Sequence, residues 1–325
     1  MKIVFMGTPD FASGALEALI AAGHEITAVY TQPDKPKGRG KEVQMTPVKE
    51  LALKHGIPVY QPHRIKAAEE VARLKEIPAD IFVVAAFGQI VSQEILDIPK
   101  YGCVNIHASL LPKYRGAAPI QWAVIDGQEK TGVTIQQMNA GIDTGDILYT
   151  KEYILDPKET GASLFDKLAV LGAEAIVEAL PLIEAGKITP VPQKDEEATH
   201  AAKLTKQLGK LDFGKSAIEL ERWIRGLNSW PSAYTYFKGK QLKIWQAQVV
   251  DMPYAIEDEA CMQDSASADA ICPGTVIAVD KQSFTVAAGK GALQILEVQI
   301  EGKKRMNCKD FLLGYPVAVG DKLGQ

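Results

Sequence analysis

The sequence predicts an α/β fold in two parts, with a Rossmann-like parallel sheet in the N-terminal domain and a smaller OB-like β-barrel in the C-terminal domain. Through the first half, short apolar runs alternate with helical patterns, which is the order expected of βαβ units and a parallel sheet. After residue 233, short alternating strands separated by turns favour a small barrel. At 325 residues the chain is longer than one core usually holds, so two domains are expected.

The chain opens with a βαβ unit. Residues 2–6 form a short apolar run that predicts a buried strand, and residues 10–22 predict a helix closed by Gly23. Residues 25–30 predict the next strand. The turn between the first strand and the helix holds a single glycine, so the GxGxxG motif of dinucleotide-binding folds is missing and NAD binding is not expected.

The same alternation continues along the chain, and it gives the expected domain limits. Helices are predicted at residues 46–55, 67–75, 120–125 and 163–182, and strands at residues 81–86, 102–104 and 132–138 and around Val59. A polar, proline-containing segment predicts a linker at 191–204, between domains at 1–190 and 205–325. Beyond it we expect a helix at 216–226 and strands at 234–237, 241–248, 274–279, 283–288 and 292–299.

Two polar side chains follow the apolar run at residues 102–104. Asn105 and His107 are two residues apart, so they share one face at the carboxyl end of a predicted strand, where open α/β sheets bind ligands. An amide donor beside an imidazole suits acyl transfer, although such a pair also often satisfies loop backbone groups. Pro112 and Pro119 fix an extended path, which favours a rigid ligand wall.

Asp143 is a further candidate. It lies between glycines and 36 residues after His107, so the spacing leaves open whether it forms a turn or orients and charge-balances the imidazole. Phe87 and Gly88 directly follow the predicted strand at 81–86, so they are also expected at the carboxyl end of a strand, where they could line a pocket.

A basic, proline- and glycine-rich segment lies between residues 31 and 47 and is too polar to pack. It is either a solvated excursion or a functional loop. It is not a phosphate-binding Walker loop, because Lys41 is followed by Glu42 and the upstream glycine is missing.

The charge is unevenly distributed. The formal net charge is -4, which argues against a dedicated nucleic-acid coat, but the chain from Lys203 onward carries 16 basic and 14 acidic residues. Six of those acids lie between residues 251 and 269, so the rest of this half is clearly basic. We expect an acidic barrel loop there, turned away from RNA. The basic residues form either an RNA track or a scattered solvated surface; they are Lys203, Lys206, Lys210, Arg222, Arg225, Lys303, Lys304 and Arg305.

The cysteines and the hydropathy pattern exclude other classes. The four cysteines form no CxxC pair and no Cys/His metal spacing, so we expect free thiols and no zinc or other metal site. No apolar run is long enough for a signal-peptide core or a bilayer span, so we expect no membrane association and a cytoplasmic location.

Four motifs together carry a family resemblance. HASLLP at 107–112 with YRG at 114–116, MGTPDFA at 6–12, GIDTGD at 141–146 and NSWPSA at 228–233 resemble the folate-dependent formyltransferases, most of all those that act on tRNA. The resemblance covers nearly the whole chain. It implies that Asn105, His107 and Asp143 are catalytic. The implied folate contacts are Ser109, Leu110, Leu111 and Pro112, with Phe87 and Gly88 lining the pteridine pocket.

The resemblance also implies substrates. The donor is expected to be 10-formyltetrahydrofolate, and the acceptor the α-amino group of methionine on initiator tRNA, for translation initiation. The amine would attack the formyl carbon directly, with the oxyanion held by the Asn105 amide and by His107. The implied tRNA contacts include Arg39 and Lys41, and the basic track adds Lys203, Lys206, Lys210, Arg222 and Arg225. A monomer is sufficient for this reaction.

Four alternatives stay open at this point. A glycinamide-ribonucleotide formyltransferase would share the site but needs no second domain. A sugar-nucleotide formyltransferase or a formyltetrahydrofolate hydrolase would share the catalytic half. A non-catalytic RNA-binding protein would keep the barrel without the chemistry.

Overall fold

The computed structural model describes residues 1–37, 42–250 and 272–324. The candidate tRNA contacts Arg39 and Lys41, and the acidic stretch at 251–269, lie outside these ranges. The chain divides into two compact units, the first comprising residues 1–119, 129–155 and 163–202, and the second residues 120–128, 156–162 and 203–325.

The first unit is an α/β sandwich. Its strands are β1 (Lys2–Gly7), β2 (Glu25–Tyr30), β3 (Lys35–Lys37), β4 (Glu42–Gln44), β5 (Val59–Tyr60), β6 (Ile81–Ala85), β7 (Cys103–His107), β8 (Arg115–Gly116), β9 (Lys130–Gln137), β10 (Ile147–Ile154) and β11 (His200–Ala201). The helices α1 to α6 span Asp10–Ala21, Pro47–Lys54, Ala68–Glu76, Gln93–Leu96, Pro119–Ile125 and Gly161–Glu184. Helices α5 and α6 each have residues in both units.

A seven-stranded sheet in the order β10-β9-β7-β6-β1-β2-β5 organises this unit. The strands from β7 to β5 are parallel, whereas β9 is antiparallel to both of its neighbours. The central strands β1 and β6 are buried almost throughout, as expected of parallel strands covered on both faces. The parallel pairing of β6 with β7 brings the carboxyl ends of these two strands side by side. In the pairing of β7 with β9, Asn105 lies opposite Gln136.

Local signals explain where the predicted elements begin and end. The Thr46 side chain accepts a hydrogen bond from Lys49 N and caps α2, and Pro47 occupies the first turn. Gly23 has φ 82° just past the end of α1. The predicted Rossmann-like sheet is confirmed, and β7 continues beyond the expected strand to include both Asn105 and His107.

The second unit is built on an antiparallel sheet. Its elements are α7 (Ala217–Gly226), β12 (Tyr234–Phe237), β13 (Lys240–Val250), β14 (Val276–Val279), β15 (Phe284–Ala287), β16 (Ala292–Ile300), β17 (Met306–Asn307) and α8 (Cys308–Gly314). The sheet runs β12-β13-β16-β15-β14, and β17 pairs with β16. The sheet confirms the OB-like prediction as an antiparallel half-barrel, closed over a core that includes Leu220, Ile244, Phe284 and Phe311.

Turn residues and a helix cap also determine where elements of the second unit begin and end. Lys238 and Gly239 form the two-residue connection between β12 and β13, and both have positive φ, as a type I′ hairpin requires. Ser216 and Glu219 form a capping box at the start of α7.

Two global predictions can be compared with the described residues. Within residues 1–37, 42–250 and 272–324, no helix is long and apolar enough to cross a membrane. Cys103 and Cys308 are free and buried, but Cys272 is disulfide-bonded, so the expectation of four free thiols was wrong. Burial raises the pKa of the Cys308 thiol to about 11.

Candidate active site

His107 lies at the end of β7 and is only 6% exposed. Its Nε2 donates a hydrogen bond of 2.9 Å to the Tyr114 carbonyl oxygen, and its Nδ1 lies 3.5 Å from Asp143 Oδ1. Both ring nitrogens therefore face oxygen atoms, and these contacts fix the orientation of the ring. The Nδ1 edge of His107 is the one turned toward the Asp143 carboxylate.

The Asp143 carboxylate is held from two sides. Its Oδ2 accepts a 2.9 Å hydrogen bond from Gly116 N, and its Oδ1 accepts one of 2.9 Å from Gln136 Nε2. These two donors fix the orientation of the carboxylate toward His107. The 36-residue gap in sequence is thus closed by the fold.

Asn105 points into the same region from the middle of β7. It is half-buried, and its position two residues before His107 places both side chains on one face of the strand. Among the described residues, no hydrogen bond reaches its side-chain amide. The amide is therefore available to donate to a ligand oxygen.

The loop after His107 is braced by buried hydroxyls. Ser109 is fully buried, and its Oγ donates to the Lys113 carbonyl at 2.6 Å. Thr134 Oγ1 donates to the Ser109 carbonyl at 2.7 Å and accepts from Leu111 N at 3.1 Å. Ser109 thus shapes the loop from inside.

The apolar members of the same loop differ in exposure. Leu111 is buried, whereas Leu110 and Pro112 are half-buried and present the accessible surface. Any ligand lying along this loop would therefore meet Leu110 and Pro112.

Two residues of the site have a left-handed backbone. Tyr114 has φ 60° and Asp143 has φ 54°. For residues other than glycine this conformation costs on the order of 1 kcal/mol or more, and such strain clusters at functional sites. At Tyr114 it directs the carbonyl toward His107.

A second strand end lies next to β7. Phe87 is 2% exposed, and its carbonyl oxygen accepts from Thr8 Oγ1 and Gln32 Nε2, each at 3.2 Å. Gly88, with φ 80°, is exposed and presents bare backbone. Since β6 and β7 are adjacent and parallel, this edge and Asn105 lie at one end of the sheet.

The predicted basic track lies in the second unit. Lys203, Lys206 and Lys210 are exposed. Trp223 Nε1 donates to the Leu208 carbonyl at 2.9 Å, which fixes the Lys206–Lys210 segment on α7.

Arg222 and Arg225 also lie on α7 but differ from the lysines. Arg222 is half-buried and its guanidinium packs on Gly127. Arg225 is already engaged: its Nε lies 2.5 Å from Glu221 Oε1, and its Nη1 donates to the Glu159 carbonyl at 2.6 Å.

Sequence reasoning missed several residues that support the site. Thr134 and Gln136 are buried polar residues that alternate with Val133 and Ile135 in β9, and polar residues in a predicted strand are a signal that the sequence offered. Gln193 has no such signal, yet its Nε2 donates to the carbonyls of Asp143 and Gly145 at 3.0 and 2.6 Å. Within the described residues, no group of three His, Cys, Asp or Glu side chains could hold a metal.

Comparisons with known proteins fit this geometry. Residues 1–180 match the family model for formyl transferase, and residues 203–316 match that for the formyl transferase C-terminal domain. Methionyl-tRNA formyltransferase from Lachnospira eligens is 53% identical over 325 residues, covering 100% of both chains. The enzyme of the same name from Acetivibrio thermocellus is 46% identical, again with 100% of both chains covered.

Solved structures show the same fold at low identity. The N-formyltransferase from Helicobacter canadensis, in complex with folinic acid and dTDP-3-aminofucose, has a TM-score of 0.65 at 18% identity, covering 94% of this chain and 100% of that one. HypX from Aquifex aeolicus, in complex with tetrahydrofolic acid, has a TM-score of 0.60 at 18% identity, covering 99% of this chain and 48% of that one. From the full-length relatives and both family models, the chain belongs to the formyl transferase family, among the methionyl-tRNA formyltransferases.

Proposed function

We propose that the protein transfers the formyl group of 10-formyltetrahydrofolate to the α-amino group of methionine on initiator tRNA, for translation initiation. The observation that carries the proposal is the buried His107–Asp143 pair beside the available Asn105 amide, in a chain matched end to end by methionyl-tRNA formyltransferases. Asn105, His107 and Asp143 are the proposed catalytic residues.

The proposed reaction needs no covalent enzyme intermediate. An α-amino group has a pKa near 8, lower beside an ester, so a neutral amine is available near pH 7. Its nitrogen forms a bond to the formyl carbon while the carbonyl becomes an oxyanion. Asn105 and His107 donate to that oxyanion, and the bond from carbon to folate N10 then breaks. One proton moves overall from the amine to N10.

His107 and Asp143 would carry that proton. Nε2 is committed to the Tyr114 carbonyl, so the ring is fixed and the Nδ1 edge is the one that exchanges protons. The Asp143 carboxylate, held by Gly116 N and Gln136, balances the charge of the imidazolium. Positioned acid–base groups of this kind contribute roughly 10²- to 10⁴-fold in rate.

The folate would lie along the loop at 109–112 and the edge at 87–88. Leu110 and Pro112 offer apolar contact to the flat pteridine ring, and the bare backbone at Gly88 allows close approach. Ser109 and Leu111 would act by keeping the loop in shape, and Phe87 by holding the strand end.

The acceptor would be bound through its phosphates. Lys203, Lys206 and Lys210 are exposed cations on one segment, and Arg222 lies on the helix that fixes it. Arg225 is the least favoured of the predicted contacts because Glu221 already holds its charge. Arg39 and Lys41 stay predictions from the sequence.

This proposal includes the division of labour expected from the sequence. The catalytic residues lie within residues 1–190 and most of the RNA contacts within residues 205–325, joined through 191–204, in a monomer acting in the cytoplasm.

Acid-gel electrophoresis of charged tRNA tests the function. The protein and 10-formyltetrahydrofolate are incubated with charged initiator tRNA or with charged elongator methionyl-tRNA, beside His107→Ala. Formylation of the initiator alone, lost in the variant, is the expected result. If tetrahydrofolate accumulates while neither tRNA is modified, the acceptor is wrong and hydrolysis or a small-molecule acceptor takes its place.

A further inference from the structure

The segment at residues 193–201, named the strap here, lies against the proposed catalytic residues although it is remote from them in sequence. Strand β11 at its end pairs in parallel with β8, so His200 and Ala201 run beside Arg115 and Gly116. Both strands belong to the first unit. The sequence predicted only a polar linker in this part of the chain.

One set of strap contacts leads to His107. Thr199 Oγ1 accepts a 2.8 Å hydrogen bond from Tyr114 N, and the Thr199 carbonyl accepts one of 2.9 Å from Arg115 N. Tyr114 is the left-handed residue whose carbonyl receives the His107 Nε2–H. The strap thus holds the peptide that sets the orientation of the imidazole.

A second set leads to Asp143. Gln193 Nε2 donates to the carbonyls of Asp143 and Gly145, while its Oε1 accepts from Arg115 Nε at 2.9 Å. A Cβ at Gly145 would lie 1.6 Å from the Gln137 carbonyl oxygen, so only glycine fits at this position of the loop. Asp143 is the other left-handed residue of the site.

The strap also contacts the backbone beside Gly116, the residue whose N–H donates to the Asp143 carboxylate. Ala117 N donates to the Ala201 carbonyl at 2.9 Å, directly after Gly116, whose N–H binds Asp143 Oδ2. A Cβ on Gly116 would lie 2.8 Å from the Ala201 carbonyl oxygen, so the two strands are in close contact.

We propose that the strap aligns His107 with Asp143, and that Thr199 and Gln193 are positioning residues for formyl transfer. The strap binds the backbone of both left-handed residues described at the site. The Thr199 hydroxyl binds Tyr114 N, and the Gln193 amide binds the Asp143 carbonyl. The inference rests on the proposed function, because Thr199 and Gln193 would affect the rate of formyl transfer only through His107 and Asp143. Neither residue touches the reacting atoms.

Isosteric substitutions separate the two sets of contacts. Thr199→Val removes the acceptor for Tyr114 N, and Thr199→Ser keeps it. Gln193→Glu removes the donor to both loop carbonyls but keeps an acceptor for Arg115. Glu196→Ala, at an exposed position of the same segment, is the control.

The measurement is single-turnover formylation of charged initiator tRNA at several substrate concentrations, with thermal melts of each variant. Misplacing a catalytic group by a small distance costs up to about 10²-fold in rate. We expect the maximal rate to fall about 10-fold in Thr199→Val and Gln193→Glu, with half-saturating concentrations of both substrates within twofold. Thr199→Ser and Glu196→Ala should stay near the unsubstituted rate.

A double-mutant cycle separates positioning from general destabilisation. If Gln193 acts through Asp143, Gln193→Glu adds little further loss in an Asp143→Asn background. Fully additive losses, weaker substrate binding in place of a slower maximal rate, or normal rates in both strap variants would each overturn the proposal. If one variant fails to fold, the other isosteric variant and the double-mutant cycle decide the outcome. Full activity in His107→Ala would instead refute the proposed catalytic pair itself.

Discussion

Replacing Asp143 by asparagine changes one oxygen and one charge at the centre of the proposed site. Each carboxylate oxygen accepts one N–H, from Gly116 and from Gln136, and Oδ1 also faces His107 Nδ1 at 3.5 Å. The asparagine side chain has one acceptor oxygen, so its NH₂ group must face one of these two donors. A protonated His107 also loses its counter-charge.

The expected magnitudes follow from these contacts. Loss of the acid–base pair should slow formyl transfer by roughly 10²- to 10⁴-fold, equivalent to about 2.7 to 5.5 kcal/mol in the barrier. The donor left without an acceptor should lower the free energy of unfolding by about 1 to 3 kcal/mol. The effect on the rate should therefore exceed what partial unfolding can explain.

Single-turnover formylation with enzyme in excess, followed on acid gels, measures the rate without interference from product release. Asp146→Asn is the matched control, because Asp146 belongs to the same loop and is also half-buried. We expect it to keep most of the activity. A rate for Asp143→Asn within about threefold of the unsubstituted protein, or an equal loss in Asp146→Asn, would refute the proposed role.

Three further predictions concern other parts of the molecule. Asn105→Ala should lose about 10²- to 10³-fold in rate through the missing oxyanion donor, with unchanged thermal stability, and a near-normal single-turnover rate would exclude that role. Lys206→Ala should weaken tRNA binding and reduce the slope of log affinity against log salt by about 1, measured by filter binding; an unchanged slope would remove it from the interface. Burial alone would raise the pKa of Asp34, but hydrogen bonds from Lys49 and Gln61 outweigh it and hold the pKa below its usual value, so the ionised form is stabilised. Asp34→Asn should therefore lower the free energy of unfolding by about 1 kcal/mol at pH 7, and in urea titrations this difference should shrink as the pH falls below about 4; a difference that is constant down to pH 3 would contradict the assignment.

Much of the fold could be predicted because it follows from local patterns. The strand at Glu25–Tyr30 has the predicted limits, and the ends of Pro47–Lys54 and Ala217–Gly226 lie within one residue of those predicted, since apolar period and caps act within a few residues. Strand β10 was not predicted, because its side chains are half-buried or exposed and give no apolar run. The OB-like sheet was recognised from its short strands and turns.

The candidate site was predictable in its residue types and only partly in its geometry. Asn105 and His107 share a strand, so their common face follows from the alternation of side chains. The resemblance supplied Asp143 and the loop at 109–112. It gave no indication that the Ser109 hydroxyl bonds within its own loop, or that Glu221 engages Arg225.

The sequence by itself determined most of the elements, the two-part fold and the family, because periodicity, turn chemistry and motifs are properties of short stretches of chain. Only the tertiary structure decided which side chains meet. The His107–Asp143 pair, the Gln136 donor and the strap at 193–201 join segments that are far apart in sequence. Such hydrogen bonds depend on the path of the chain in three dimensions, so no local pattern specifies them.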